Sequence, residues 1–258
     1  MNLTLTRRRL CQAAPLALAA PAKAAVPDSF PQHAPEIVRE MVTVAHGNVK
    51  RVRELVGAQP ALARAAVDWG FGDWEDALGA ASHVGNREIA ELLIANGARP
   101  TLFSATMFGH LDVVKAFIAA QPGVQRIPGP HSISLLAHAK SGGKPAEAVY
   151  GYLESLGDAG NPANAPLSAE EAAALKGSYV FGPGPNDSID ITENRGQLMF
   201  VRKGAIGRGL VHLGDHAFHP AGASAVRIRF GGSGADAMLT VHDPGPVLTA
   251  RRVEAGAK

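Results

Sequence analysis

Cysteine is nearly absent from this chain of 258 residues: one occurs, Cys11. It lies in a segment that reads as an export signal, so the mature chain is expected to have no thiol. That excludes disulfides, cysteine metal sites and thiol nucleophiles. The residues before it, Arg8, Arg9 and Leu10, are not the small apolar set of a lipidated cysteine. Aromatic residues make up 5% of the chain and tryptophan occurs twice, which suits closely packed helices better than large aromatic cores. No run is long and apolar enough to span a bilayer, so membrane insertion is not expected. There is no phosphate loop, dinucleotide fingerprint or HExxH. No excess of positive charge survives export either. The chain has 25 Lys plus Arg against 23 Asp plus Glu, and four of the basic residues (Arg7, Arg8, Arg9, Lys23) fall in the first 24 positions, with no acid. Removing them leaves 21 against 23, a mature charge of about −2, which makes nucleic acid an unlikely partner class.

Residues 1–24 have the order of a signal peptide: Thr6-Arg7-Arg8-Arg9-Leu10, a mildly apolar run over 13–22, then Ala22-Lys23-Ala24 as a small-x-small cleavage site. The paired arginines after Thr6 resemble the twin-arginine export signal, with Leu10 where that signal usually has Phe. The expected location is periplasmic or secreted, after cleavage near Ala24.

One phrase recurs through the first half of the mature chain. Residues 76–86, 100–110 and 134–144 carry Leu at the third position (Leu78, Leu102, Leu136), Ala at the sixth (Ala81, Ala105, Ala139) and Gly at the tenth (Gly85, Gly109, Gly143). A degraded copy ends at Gly47. Leu and Ala at that spacing share a face of a short helix, and the Gly suits a left-handed turn. Helical periodicity resumes after each Gly, as in Val49-Val52-Leu55-Val56 and Val113-Val114-Phe117-Ile118. Each unit is therefore a helix–turn–helix hairpin that must stack to bury its apolar face. Gly109-His110-Leu111-Asp112-Val113-Val114-Lys115 resembles the opening of the second helix of ankyrin repeats. The resemblance covers 34–158 and implies about four repeats in a binding scaffold. It departs from the family in lacking the Thr-Pro pair. The Gly spacing also varies, 38, 24 and 34 residues, against a period of about 33. The first unit must carry an enlarged loop and the second must lack one.

The periodicity changes after Asp158. Residues 159–166 read as a Pro/Asn/Ala linker, and Ser168-Ala169-Glu170-Glu171 as a capped helix start. Eight short β-rich runs then follow within 167–253, suggesting an antiparallel barrel. Leu175-Lys176-Gly177-Ser178-Tyr179, Gly214-Asp215 with Phe218, and Thr249-Ala250-Arg251-Arg252-Val253 resemble the small lipocalin-like barrel that follows serine β-lactamase-like hydrolase domains. There it is an accessory, so the resemblance brings no catalytic residue. The expected fold class is α plus β in separate domains, a repeat stack followed by the barrel.

Chemical motifs are few. Ser141-Gly142-Gly143-Lys144 matches Ser-x-x-Lys, but Gly143 is the repeat's turn residue and no partner motif exists. With Gly214-Asp215 as a hairpin turn, His212 and His219 share one face and His216 takes the other, too few ligands for zinc. His83, His110 and His138 fall at or beside repeat turns and are expected to bond neighbouring backbone. No metal site, cofactor or catalytic residue is expected. The candidate protein-binding residues are Trp69, Phe71 and Trp74 in the enlarged loop, Phe103 on the third repeat, and Arg126 and His131 in the stiff loop Arg126-Ile127-Pro128-Gly129-Pro130-His131. The expectation is an exported, non-enzymatic, monomeric adaptor for another protein. Alternatives are a small apolar ligand inside the barrel or an accessory to a serine hydrolase.

Overall fold

The computed structural model describes residues 28–253. The expected signal segment 1–24 lies outside them. Residues 28–34 form a short turn segment in a separate unit, and the unit from Pro35 onward carries the helices and strands of the described residues.

Four helix pairs follow one another: α1 (Pro35–Val44) with α2 (Val49–Ala58), α3 (Ala77–His83) with α4 (Arg87–Ala95), α5 (Leu102–Phe108) with α6 (Leu111–Ala120), and α7 (Leu135–Ser141) with α8 (Glu147–Leu156). The first helices α1, α3, α5 and α7 touch in succession as one row. Side-chain caps start most of them. Asp76, Thr101 and Ser134 each accept the backbone N–H three residues on, satisfying a donor that the helix itself leaves unpaired. The repeated Ala81, Ala105 and Ala139 are all buried, which brings neighbouring first helices close. Leu78 and Leu102 are buried as well, whereas in the last unit Leu135 takes the interior and Leu136 is half-buried. The repeated glycines all have positive φ. At Gly109 (φ 81°) a Cβ would collide with the carbonyl of Pro145 in the next pair, so this position tolerates nothing larger.

The enlarged loop after the first pair is a two-stranded ribbon, β1 (Ala66–Asp68) antiparallel to β2 (Trp74–Asp76). The connection into the third pair is short, as the Gly spacing requires. After α8 the chain runs through the linker to α9 (Ala169–Leu175), whose capping box joins Ser168 and Glu171.

Eight antiparallel strands then close a barrel: β3 (Gly177–Val180), β4 (Ser188–Asn194), β5 (Gln197–Arg202), β6 (Arg208–Gly214), β7 (Ala217–Pro220), β8 (Arg227–Gly231), β9 (Met238–Asp243) and β10 (Gly245–Val253), the last pairing with β3. All eight expected runs are strands. Closure removes the sheet edges. Alternating residues fill the interior, among them Tyr179, Ile189, Phe200, Phe218, Ile228 and Leu239.

One hairpin register differs from expectation. Val211 pairs with His219 and His212 with Phe218, with a bulge before Gly214. Asp215 and His216 have left-handed φ (48° and 51°) and make the turn, as a right-twisting two-residue hairpin demands. His212 is buried and stacks on Phe218, while His219 lies on the opposite face. The expected sharing of a face by His212 and His219 is therefore wrong, by one residue of register.

Candidate metal centre between the helix pairs and the barrel

Three histidines and two carboxylates converge where the ribbon, the helix pairs and the barrel meet. Glu75, at the middle of β2, is buried despite its charge. Its Oε1 lies 2.9 Å from His83 Nε2 and 3.6 Å from His46 Nε2, and its Oε2 lies 3.3 Å from His131 Nε2. His46 and His83 Nε2 are 3.1 Å apart. The four ligand atoms all fall within 4.8 Å of one another.

Three of the four side chains, His46, His131 and Glu75, are held from behind. His46 occupies the turn after α1 and its Nδ1 is 3.1 Å from the carbonyls of Val42 and Thr43. Donation there leaves the Nε2 lone pair facing Glu75 and His83. His83 closes the last turn of α3, the stacked neighbour of α1. His131 sits at φ 58° in the loop before α7. Its Nδ1 is 2.7 Å from Asp73 Oδ2, and its backbone N–H donates to Asp73 Oδ1 at 2.9 Å. The Trp69 indole N–H donates to Glu75 Oε2 at 2.8 Å.

Asp73, at the ribbon's tip, also ties this cluster to the barrel. Arg208 Nη1 on β6 donates to Asp73 Oδ2 and to the Ala221 carbonyl, both at 2.8 Å. The Gly222 N–H donates to Ser132 Oγ at 2.6 Å. Gly222 has φ 82°, and a Cβ there would run into the Asp73 carboxylate.

The electrostatics follow from these contacts. Burial alone would raise Glu75, but the hydrogen bonds and charges of His131, His83 and His46 outweigh it and bring the carboxyl down to about 2. Burial likewise opposes ionisation of Asp73, and His131 and Arg208 bring it below its ordinary value. Asp73 and Glu75 together raise His131 to about 9. With His131 protonated, two carboxylates face two cations. Nearby His138 is fully buried, and burial pushes it down to about 4. Its Nδ1 bonds the Ser134 carbonyl and its Nε2 has no partner among the described residues.

A cleft of about 420 Å³ opens over the cluster, lined by Thr43, His46, Trp69, His131, Ile206, Arg208 and Ala221 among others. A separate hollow of about 580 Å³ lies at one barrel mouth beside α9, with Leu167, Leu198, His212 and Phe218 in its wall.

The six residues expected to bind a protein have diverse surroundings. His131 and Trp69 belong to the cluster, and Arg39 sits over the Trp69 ring at 5.0 Å. Phe71 packs edge-on against Phe200 of the barrel, 6.1 Å between centroids. Trp74 is 63% exposed. Phe103 packs on His138 at 4.8 Å, and Arg126 bonds Asp158 at 3.1 Å. His83, expected to bond backbone at its turn, instead meets Glu75 and His46 through side chains. The sequence reading missed His46, Glu75 and Asp73. Two signals for them existed: histidines one or two residues before the turn Gly in consecutive units (His46 before Gly47, His83 before Gly85), and carboxylates on either side of the second tryptophan of the enlarged loop (Asp73 and Glu75 beside Trp74).

Three imidazole nitrogens and a carboxylate suit zinc and its neighbours. Tetrahedral zinc with bonds of about 2.0–2.1 Å needs ligand atoms roughly 3.3 Å apart, and the separations of 2.9 and 3.6 Å from Glu75 Oε1, 3.3 Å from its Oε2 and 3.1 Å between His46 and His83 straddle that value. Comparison with known proteins finds no matching family model and no matching curated protein, so this geometry carries the functional reading.

Proposed function

We propose that this protein binds one divalent transition-metal ion of the zinc class through His46 Nε2, His83 Nε2, His131 Nε2 and Glu75. The convergence of those four atoms within 4.8 Å carries the reading. Partners behind the ligands, of the kind that orient ligating imidazoles, add to it: a carbonyl behind His46, a carboxylate behind His131, and an indole N–H on Glu75. An ion at the centre would replace the Nε2 proton of His131, so loading would release a proton. We place the centre in an exported protein whose helix pairs are ankyrin-type repeats and whose barrel is lipocalin-like, on the sequence patterns given above. The test is metal stoichiometry of the purified full chain after equilibrium dialysis against zinc, with His83→Ala and Glu75→Gln as comparisons. One ion per wild-type chain and loss in both variants is expected. A wild-type chain that stays metal-free at saturating zinc would sink the reading.

A second reading, the protein-binding adaptor, keeps two supporting observations. Trp74 is exposed, and an apolar groove between α4 and α6 leaves Val113 and Phe117 almost half-exposed. A photo-crosslinker at Trp74, not at Phe71 which faces the barrel, tests it in the native envelope. A discrete adduct would favour it, and its absence would remove the ribbon from consideration.

A further inference from the structure

The four proposed ligands are unequally buried. Glu75 and His83 form the back, with side chains 0% and 9% exposed, while His46 and His131 stand at the front, 33% and 32% exposed. Only the front pair belongs to the cleft wall. An ion held by these four groups is thus shut off behind and approachable from the cleft. Zinc sometimes expands from four to five ligands, and the direction left for a fifth is the cleft.

The wall of that cleft has a definite chemistry. The Trp69 indole and the Ile206 side chain, 73% exposed at the lip, offer apolar surface. Arg208 lines it too, with Nη1 committed to Asp73 and Ala221. The charge near the ion decides the sign of the guest. Two positive charges from the ion and one from Arg208 stand against the carboxylates of Asp73 and Glu75. Asp76, the next carboxylate, is turned away to cap α3 at the Gly79 N–H and does not line the cleft. So among the groups that meet the ion or the cleft, with the three histidines neutral, one positive charge remains in a partly dry site, where charge matters more than in water. Arg39, over the outer face of Trp69, adds to the same sign.

We infer, resting on the metal reading above, that the cleft binds a small organic monoanion, a carboxylate with a compact apolar body. Its oxygen coordinates the ion from the cleft side and its apolar part lies between Trp69 and Ile206. The volume of about 420 Å³ falls within the range of small-molecule sites, which runs from about 300 to 1,000 Å³.

Cobalt(II) tests this, because its visible bands report both loading and a change in coordination. The full chain is titrated with cobalt alone, then with benzoate, with neutral benzamide as the control for shape. The expected result is one cobalt per chain, a saturable change in the bands with benzoate, and none with benzamide. Ile206→Asp should weaken benzoate about tenfold, by removing apolar contact and adding a like charge. Cobalt loading with no response to benzoate would overturn the open position while leaving the metal centre standing. Equal responses to benzoate and benzamide would overturn the anion preference. Failure to load cobalt would remove both readings together.

Discussion

Replacing Asp73 by Asn should loosen the attachment of the helix pairs to the barrel. Asp73 is 2% exposed and receives three hydrogen bonds from two separate parts of the chain: His131 Nδ1 at 2.7 Å, the His131 backbone N–H at 2.9 Å and Arg208 Nη1 at 2.8 Å. Asn is nearly isosteric, so packing survives. What changes is that one acceptor oxygen becomes a donor facing donors, and Arg208, 11% exposed, keeps only the Ala221 carbonyl. Removing one partner of a buried ion pair typically costs about 3–5 kcal/mol. Because Asn retains one acceptor, the lower end applies, about 3 kcal/mol. For a domain of this size each kcal/mol moves the melting temperature by about 2–4 °C, so a loss of roughly 6–12 °C is expected by calorimetry at neutral pH. The loss should be non-additive: in D73N/R208L the stranded cation is gone, and the double variant should recover about 1–3 kcal/mol relative to the sum of the single losses. The pH sign also follows. The folded carboxyl lies below its unfolded value, so its contribution is present above about pH 4 and disappears as pH falls through the folded value. The gap between wild type and D73N should therefore close in acid. A D73N melt within about 1 °C of wild type, well inside the shift expected for a lost buried pair, would refute the idea that Asp73 joins the two parts.

Other consequences are checked by similar means. Gly222→Ala puts a methyl group against Asp73 at a left-handed φ and should cost about 2–4 kcal/mol by strain and displacement, read by urea unfolding. His131→Gln should destabilise the metal-free chain most below about pH 6.5. His131 is raised to about 9, so its stabilisation is complete below the unfolded value and fades as pH rises through about 9, and melting curves of both proteins across that window should converge. His138→Leu should narrow the loss of stability in acid, because the native histidine is held neutral to about 4 and each unfolded chain takes up its proton first. A variant that melts in parallel with wild type from pH 8 to about pH 5 would contradict that burial. Zinc added to wild type should raise the melting temperature in a concentration-dependent way, and Glu75→Gln should abolish the effect.

The sequence made the scaffold legible and the site much less so, and the two outcomes share a physical cause. Helices and strands are local: the recurrence of Leu, Ala and Gly over 76–86, 100–110 and 134–144 and the period-two runs after Asp158 determine where chain segments turn, and those segments appear as four helix pairs and eight strands. The cluster is non-local. Its ligands stand at 46, 75, 83 and 131, on a turn, a strand, a helix end and a loop, and no short motif relates them. His46 and His83 become neighbours only because consecutive units stack so that equivalent positions touch. A repeat alignment therefore contains their proximity, provided it is read across units as well as along them. Glu75 and Asp73 required knowing that the enlarged loop folds as a ribbon. Alternation on β2 then sends Glu75 into the histidines while the tip delivers Asp73 to Arg208. The tryptophans that drew attention to this loop mark the right segment for a reason other than exposure. Trp69 orients a buried carboxylate and Phe71 seats on the barrel, leaving Trp74 as the ring in solvent. Two carboxylates buried at one junction, Asp73 and Glu75, are costly for stability alone, since apolar packing would hold the two parts together at less desolvation. That cost is what the proposed ion would offset.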